Sequence, residues 1–224
     1  MGVHVYCIVA SSLDAPRELT GITGARVDAA QTARLAVWYS EHDAAPAADD
    51  VAIRAHHAVV QSAMTAEHTP VPIRFGQWFG SVGDAVAQVS AEEAKWQAQL
   101  ERFAGCVEFG VIITAAGPQA ARDVHPTRES GTAYMTALVQ RHAEAQRRRA
   151  EGEAIALRMH EALAGLVVDV RVELPGTAGL ARLAHLVARP RQDRYHAALT
   201  EIRRDRPDLT FRCSGPWPPY SFVA

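Results

Sequence analysis

The residues of this chain best suited to bind a metal are histidines, and two of them, His56 and His57, are adjacent. Both fall in residues 50–66, where apolar residues recur at helical spacing, and His56 lies on the apolar stripe of that helix. Neighbouring residues of a helix do not share a face, so the pair is not expected to bind one ion together. We interpret His56 as a histidine at the edge of the core with a hydrogen-bond partner, and the alternative is a ligand role.

The candidate nucleophiles are three cysteines, Cys7, Cys106 and Cys213, which are odd in number and far apart in the chain. Each sits in an apolar run typical of a strand, which favours buried free thiols in a reducing compartment over thiolate chemistry. The sequence contains none of the motifs GxGxxG, GxxxxGK[ST], HExxH, paired CxxC or GxSxG. We therefore expect no catalytic residue, no metal and no cofactor, and a protein that is not an enzyme.

One cation, Arg74, stands among apolar residues in the segment PVPIRFG, residues 70–76. The prolines predict an edge strand or strand start over residues 69–76, followed by a turn rich in aromatic residues at 77–80. We predict that the Arg74 guanidinium pairs with a carboxylate, a carbonyl or the C-terminal segment. The alternative is a side chain that extends from an edge strand into solvent.

The C-terminal segment GPWPPYSF, residues 215–222, combines three prolines with three aromatic residues. Proline has a fixed φ and no N–H group, so the segment is expected to be extended, in the polyproline II conformation. With about three residues per turn, Trp217 and Tyr220 would lie on the same side of it. We interpret the segment as a tail packed back on the body of the protein, and the alternative is a PxxP-like ligand for the aromatic groove of a partner.

The segment from Arg141 to Arg149 is rich in arginine and has a weak apolar face. We interpret it as a solvated helix face whose charge is balanced by neighbouring glutamates, and the alternative is a docking patch for an acidic partner.

These residues are positioned by a mixed set of helices and strands, so the predicted fold class is α+β. The first part of the chain predicts a small N-terminal α/β lobe with a strand at 3–10, a hairpin of 25–29 with 34–40, and a helix over 50–66. Residues 81–103 predict one continuous helix, since the apolar stripe continues from Val82 to Phe103. A helix of that length could connect two subdomains.

From residue 106 onward the predicted elements follow the order β-α-β-β-α-β, with an irregular stretch at 116–130 and a turn at 175–176. That order is typical of a ferredoxin-like C-terminal lobe. The predicted domain organisation has four parts: 1–80 as the N-terminal lobe, 81–104 as the connecting helix, 105–214 as the ferredoxin-like lobe and 215–224 as the C-terminal tail.

Composition limits the class of protein further. The chain has 224 residues, a formal net charge of −2 and 21% charged residues, which do not indicate a nucleic-acid-binding protein. No signal peptide and no apolar run long enough for a transmembrane helix is evident, so we expect a soluble cytoplasmic protein that does not bind membranes.

A set of sequence motifs runs in order along almost the whole chain: VYCIV at 5–9, His56 in the first helix, VPIRFG at 71–76, GCVEFGV at 105–111, GTAYM at 131–135 and SGPWPPYSF at 214–222. Together these motifs resemble the gas vesicle protein family GvpL/GvpF. The last of these is the most specific. Departures are mild, with Met135 at a position where leucine is common in the family.

The resemblance implies an accessory or minor structural protein of gas vesicles, located in the cytoplasm at the vesicle. It implies binding to the small hydrophobic shell protein GvpA, and to other gas vesicle proteins, in a way that limits GvpA aggregation. It brings no catalytic residue. The alternative function is a small-molecule-binding or enzymatic ferredoxin-like protein. The family motifs mark candidate structural or partner-binding positions: Pro72, Arg74, Phe75, Gly76, Gly215, Pro216, Trp217, Pro218, Pro219 and Tyr220.

Overall fold

The computed structural model describes residues 1–116, 131–174 and 179–223, with the side chains of 131–133 excepted. The predicted irregular stretch at 116–130, apart from residue 116, and the predicted turn at 175–176 lie outside the described residues. The chain forms two compact units, one of Met1–Glu108 with Pro216–Ala224 and the other of Phe109–Gly215. With 43% helix and 30% strand, the mixed fold class predicted from the sequence is confirmed.

The sheet of the first unit is built around its first strand. It has the order β2-β3-β1-β4, with β5 also paired to β1. The strands are β1 Gly2–Ala10, β2 Asp28–Gln31, β3 Leu35–His42, β4 Val71–Pro72 and β5 Trp78–Phe79. β1 is apolar along almost its whole length and is buried on both faces, as expected for a central strand. β1 and β3 pair antiparallel, with a register shift between Val5 and Cys7.

The predicted aromatic turn at residues 77–80 is wrong in one respect. Trp78 and Phe79 form strand β5, which pairs with His4 and Val3 of β1. The predicted strand over residues 69–76 is also shorter than expected, since only Val71–Pro72 pairs with β1. Strands β4 and β5 thus both pair with the same edge of β1. The residues between them leave the ladder at Arg74 and return at Trp78.

Three helices complete the first unit: α1 Asp50–Ser62, α2 Val82–Ala91 and α3 Glu93–Phe103. The Asp49 and Ser81 side chains cap α1 and α2 by accepting from the backbone N–H of Ala52 and Asp84. The single helix predicted over 81–103 is wrong, because the chain breaks at Glu92, with φ −115 and ψ 23. The break falls in the seven-residue step of the apolar stripe between Val89 and Trp96, which contains no apolar side chain larger than alanine.

The second unit contains a second sheet and the two remaining α-helices of the described residues. Its elements are β6 Cys106–Ala115, α4 Gly131–Ala162, β7 Val167–Glu173, β8 Ala181–Ala188, α5 Gln192–Asp205 and β9 Leu209–Trp217, and β6 and β9 extend past its boundaries. The sheet has the order β7-β8-β6-β9. Phe109 of β6 stacks on Tyr195 of α5, whose hydroxyl lies 2.8 Å from Nδ1 of the buried His185.

The basic segment lies in an exposed stretch in the middle of α4. Arg148 forms an ion pair with Glu144 at 2.7 Å, and Arg149 forms one with Glu153 at 3.2 Å. Spacings of four residues and high exposure are those of a solvated helix face, which is the interpretation preferred from the sequence. No helix in the described ranges combines the length and the apolar character that a membrane span requires.

The polyproline II conformation predicted for the C-terminal segment is wrong. Strand β9 continues through Gly215 and Pro216 to Trp217, and Tyr220–Phe222 form a 3-10 helix. Proline is compatible with this strand because β9 is an edge strand, and the missing N–H can point away from its neighbour.

Candidate functional site

The motif at residues 72–76 builds part of the buried centre of the first unit. The Ile73 carbonyl oxygen lies 2.9 Å from Nε2 of His56, and the Ile73 backbone N–H donates to the Tyr6 carbonyl at 2.9 Å. A carbonyl only accepts, so Nε2 of His56 carries the proton. Nδ1 of His56 must then accept, and the donor is Nε2–H of His4 at 2.8 Å. His56 is therefore a buried core histidine with hydrogen-bond partners, as predicted.

The Phe75 ring closes this cluster by packing against both histidine rings, with centroids 5.2 Å from His4 and 5.7 Å from His56. Burial lowers the pKa of His4 to about 3 and that of His56 to about 4, because charged imidazole is poorly solvated there. Both rings are therefore neutral at neutral pH. The two rings form a hydrogen-bond chain that runs from His4 on β1 through His56 on α1 to the Ile73 carbonyl.

Arg74 and Gly76 lie at the outer side of the same motif. Gly76 has φ +95, a conformation that favours glycine, and it turns the chain back toward β5. Arg74 is exposed and forms no hydrogen bond or ion pair with any residue that the structure describes. Within that part of the chain the predicted pairing of Arg74 is wrong. The side chain is exposed, as the alternative had it, but Arg74 follows strand β4 instead of lying in it. Pro72, by contrast, is buried in β4.

The C-terminal motif packs on the first unit through a carboxylate. Glu108, buried at the start of β6, accepts from the Ser221 backbone N–H at 2.9 Å and from the Ser221 hydroxyl at 2.7 Å. Burial raises the pKa of Glu108, while the two hydrogen bonds from Ser221 act in the opposite direction. Next to this contact, Pro218 and Pro219 are buried. Phe222 is only 1% exposed.

The two remaining aromatic residues of this motif meet the first helix. The rings of Trp217 and Tyr220 lie 5.2 Å and 5.9 Å from that of His57 on α1. They therefore share one side, as predicted, although the backbone is not polyproline II. Trp217 is 37% exposed, so Phe222 is the better buried aromatic residue. Gly215, with φ +122, lies in β9 within the second unit.

Replacing Ser221 with alanine tests the carboxylate contact. The change leaves Oε1 of Glu108 buried without its hydroxyl donor, and we expect the free energy of unfolding to fall by about 1–3 kcal/mol at neutral pH. Chemical denaturation measures this. The loss should shrink below the pKa of Glu108, because a protonated carboxyl needs fewer donors. Ser90→Ala, exposed on α2, is the control and should change stability by less than about 0.5 kcal/mol. Equal stability of S221A and the unchanged chain would contradict the role of this contact.

Sequence reasoning included Glu108 and Ser221 in the family motifs without giving either a role, and it missed His4. The available signals were a glutamate inside the apolar run CVEFG and a histidine between valines in the first strand. A carboxylate or imidazole in a central strand needs a partner, since burying it alone is costly. The identity of each partner could not be read from the chain, because Ser221 is 113 residues from Glu108.

Two kinds of candidate reactive group, metal ligands and thiols, can be located among the described residues. Among them, no three His, Cys, Asp or Glu side chains are placed to hold a metal ion. Cys7 is fully buried and free, and burial raises the pKa of its thiol. Cys106 is buried and Cys213 half-buried, and neither forms a disulfide with another described residue. A raised pKa keeps Cys7 in the unreactive thiol form, as the strand pattern predicted.

Comparison with known proteins agrees with the motifs. Residues 2–224 match the family described as gas vesicle synthesis protein GvpL/GvpF. The chain is 28% identical to gas vesicle protein F2 of Halobacterium salinarum over 180 residues, which is 80% of this chain and 70% of that protein. It is 26% identical to gas vesicle protein F of Haloferax mediterranei over 228 residues, or 99% and 92% of the two chains.

The fold agrees as well. The crystal structure of gas vesicle protein GvpF from Anabaena sp. superposes with a TM-score of 0.77 at 21% identity, covering 100% of this chain and 96% of that one. Because the family match extends over nearly every residue of the sequence, this chain belongs to the gas vesicle protein family GvpL/GvpF.

Proposed function

We propose that this protein is an accessory or minor structural protein needed for gas vesicle assembly, and that it binds the shell protein GvpA and limits its aggregation. The observation that carries the proposal is the family match over residues 2–224. Membership implies association with other gas vesicle proteins, located in the cytoplasm at the vesicle. A protein that restrains the aggregation of an apolar subunit needs a binding surface and no catalytic groups, so the proposed role is not enzymatic. The alternative, a small-molecule-binding or enzymatic protein, is not favoured by the family match.

We further propose an arrangement of an N-terminal α/β lobe (1–80), connecting residues (81–104) and a ferredoxin-like lobe (105–214). The element order β-α-β-β-α-β and the strand order β7-β8-β6-β9 support the ferredoxin-like assignment. The tail (215–224) packs back on the N-terminal lobe, which the ring contacts of Trp217 and Tyr220 with His57 support.

The family-motif positions are proposed to be mainly structural. Phe75 packs against the buried histidines and nearby Ile73 hydrogen-bonds to His56. Pro218, Pro219 and Tyr220 pack the tail against the first unit. Arg74 and Trp217 are exposed, and we propose them as partner-binding positions. The remaining four, Pro72, Gly76, Gly215 and Pro216, are proposed to set the path of the backbone.

The test is to delete the gene in a vesicle-forming cell and to purify an affinity-tagged copy of the protein from the complemented strain. We expect loss or strong reduction of vesicles by electron microscopy on deletion, and GvpA in the purified fraction. An untagged strain controls for GvpA that adheres to the resin. Normal vesicles in the deletion strain together with no enrichment of GvpA over the untagged control would overturn the proposal.

A further inference from the structure

A groove of about 410 Å³ lies in the first unit, between strands β1, β4 and β5 on one side and helices α2 and α3 on the other. Its volume falls in the range of roughly 300–1,000 Å³ typical of ligand sites. Apolar side chains form most of its lining, among them Ile8, Ile73, Phe79 and Val89. A groove of this kind favours an apolar occupant, because covering such a lining removes it from water.

Four polar groups in the lining have no partner among the residues that the structure describes. Arg74, Gln77 and Gln88 are all exposed, and among the described residues the guanidinium has no ion pair and the two side-chain amides make no hydrogen bond. Nε1–H of Trp96 is buried and lacks an acceptor. A buried donor left without an acceptor is costly, so an occupant that offers an acceptor to the Trp96 indole would be favoured.

The groove is lined by one charged group of each sign. The Glu92 carboxylate pairs with Lys95 at 3.1 Å, whereas Arg74 has no ion-pair partner among the described residues. An unpaired guanidinium binds a carboxylate with charge-assisted hydrogen bonds. Carboxamides such as Gln77 and Gln88 both donate and accept, which matches the alternating N–H and C=O groups of a peptide backbone.

We infer that this groove binds a short peptide segment of apolar residues that carries one acidic side chain. The apolar residues cover the groove lining, the carboxylate pairs with Arg74, and a backbone carbonyl accepts from the Trp96 indole. The glutamine amides hydrogen-bond the remaining backbone groups. The inference rests on the proposed function only for the source of the peptide, a segment of another gas vesicle protein. A small apolar carboxylate would satisfy Arg74 but would leave the glutamine amides unused.

The experiment presents the full chain to a phage-displayed library of random short peptides, and then measures the best clone as a labelled synthetic peptide by fluorescence anisotropy. We expect clones rich in aliphatic residues with one Asp or Glu. R74Q should weaken binding by roughly 10- to 100-fold, since a charge-assisted pair is lost. A peptide with Gln in place of the acid should bind the unchanged protein equally weakly. W96F, which keeps an aromatic ring but removes the N–H, should cost roughly 10-fold or less.

The matched control is Arg54→Gln, an exposed arginine of the same unit that pairs with Asp50 on α1, and it should leave binding unchanged. Enrichment of no acidic-apolar clone, or equal binding to R74Q and R54Q, would overturn the inference. Hexanoate is tested as a competitor. If it displaces the peptide from the unchanged chain at concentrations similar to the peptide's own Kd, the inference is overturned in favour of a small-molecule site. GvpA that still co-purifies with R74Q as with the unchanged chain would leave the proposed function standing while this site fails as the GvpA contact. If the protein binds the peptide but does not associate with GvpA, the proposed function is wrong and the inference about the groove stands.

Discussion

Replacing Phe222 with alanine should lower the free energy of unfolding by about 3–5 kcal/mol, the usual cost of truncating a buried phenylalanine. The ring is 1% exposed, and it belongs to a segment that Glu108 holds through two hydrogen bonds to Ser221. In a chain of this size the melting temperature should fall on the order of 10 °C. Thermal unfolding followed by near-ultraviolet circular dichroism measures the loss, and the buried Trp38 provides a reporter within the first unit.

Trp217→Ala is the matched control, because it removes an aromatic residue of the same segment that is 37% exposed. We expect a loss well below that of F222A, since less apolar area returns to water. Removing residues 215–224 should destabilise the protein at least as much as F222A, because Glu108 then stays buried without its donors. A truncated chain that melts like the full one and loses only partner binding would refute the packed-tail interpretation and favour the ligand interpretation.

Acid should destabilise the protein steeply between about pH 6.5 and about pH 4. Burial lowers the pKa of His4 to about 3, and those of His56 and His185 to about 4, from 6.5. In that window the unfolded state binds up to three more protons than the folded state, so stability increases with pH. The slope should approach about 4 kcal/mol per pH unit, at about 1.4 kcal/mol for each proton. Above about pH 7 the contribution of these groups becomes constant. Glu108, whose pKa is raised, acts in the opposite direction as a single group.

Urea denaturation at a series of pH values measures this slope, and His56→Gln provides the comparison. The glutamine amide can still donate to the Ile73 carbonyl, but it does not titrate. H56Q should be less stable at neutral pH, because the bond from His4 is disturbed, and its slope near pH 5 should be smaller by about one proton. A slope of the unchanged chain near zero between pH 6.5 and pH 4 would show that these histidines are not held neutral.

Much of the fold was predictable from local pattern. The continuous apolar run of residues 3–10 predicted a buried strand, and the acidic start and apolar stripe of residues 50–66 predicted α1 to within a few residues. Errors arose where tertiary contacts outweighed local preference. Trp78 and Phe79 looked like an exposed turn, but β1 had a free edge for them. The tail was predicted as polyproline II because prolines exclude most ladders, yet an edge strand accommodates Pro216.

The sequence by itself determined the family, through ordered motifs such as PIRFG and GPWPPYSF, and it determined the mixed class and the burial of Cys7 and His56. These features depend on residue identity and local periodicity, both of which can be read directly from the sequence. Only the tertiary structure decided that Arg74 has no partner among the described residues, that Glu108 anchors Ser221, and that Trp96 and Arg74 line the same groove. The physical reason is distance along the chain. Hydrogen bonds and charge pairs between residues far apart depend on how elements pack, and no local spacing encodes that.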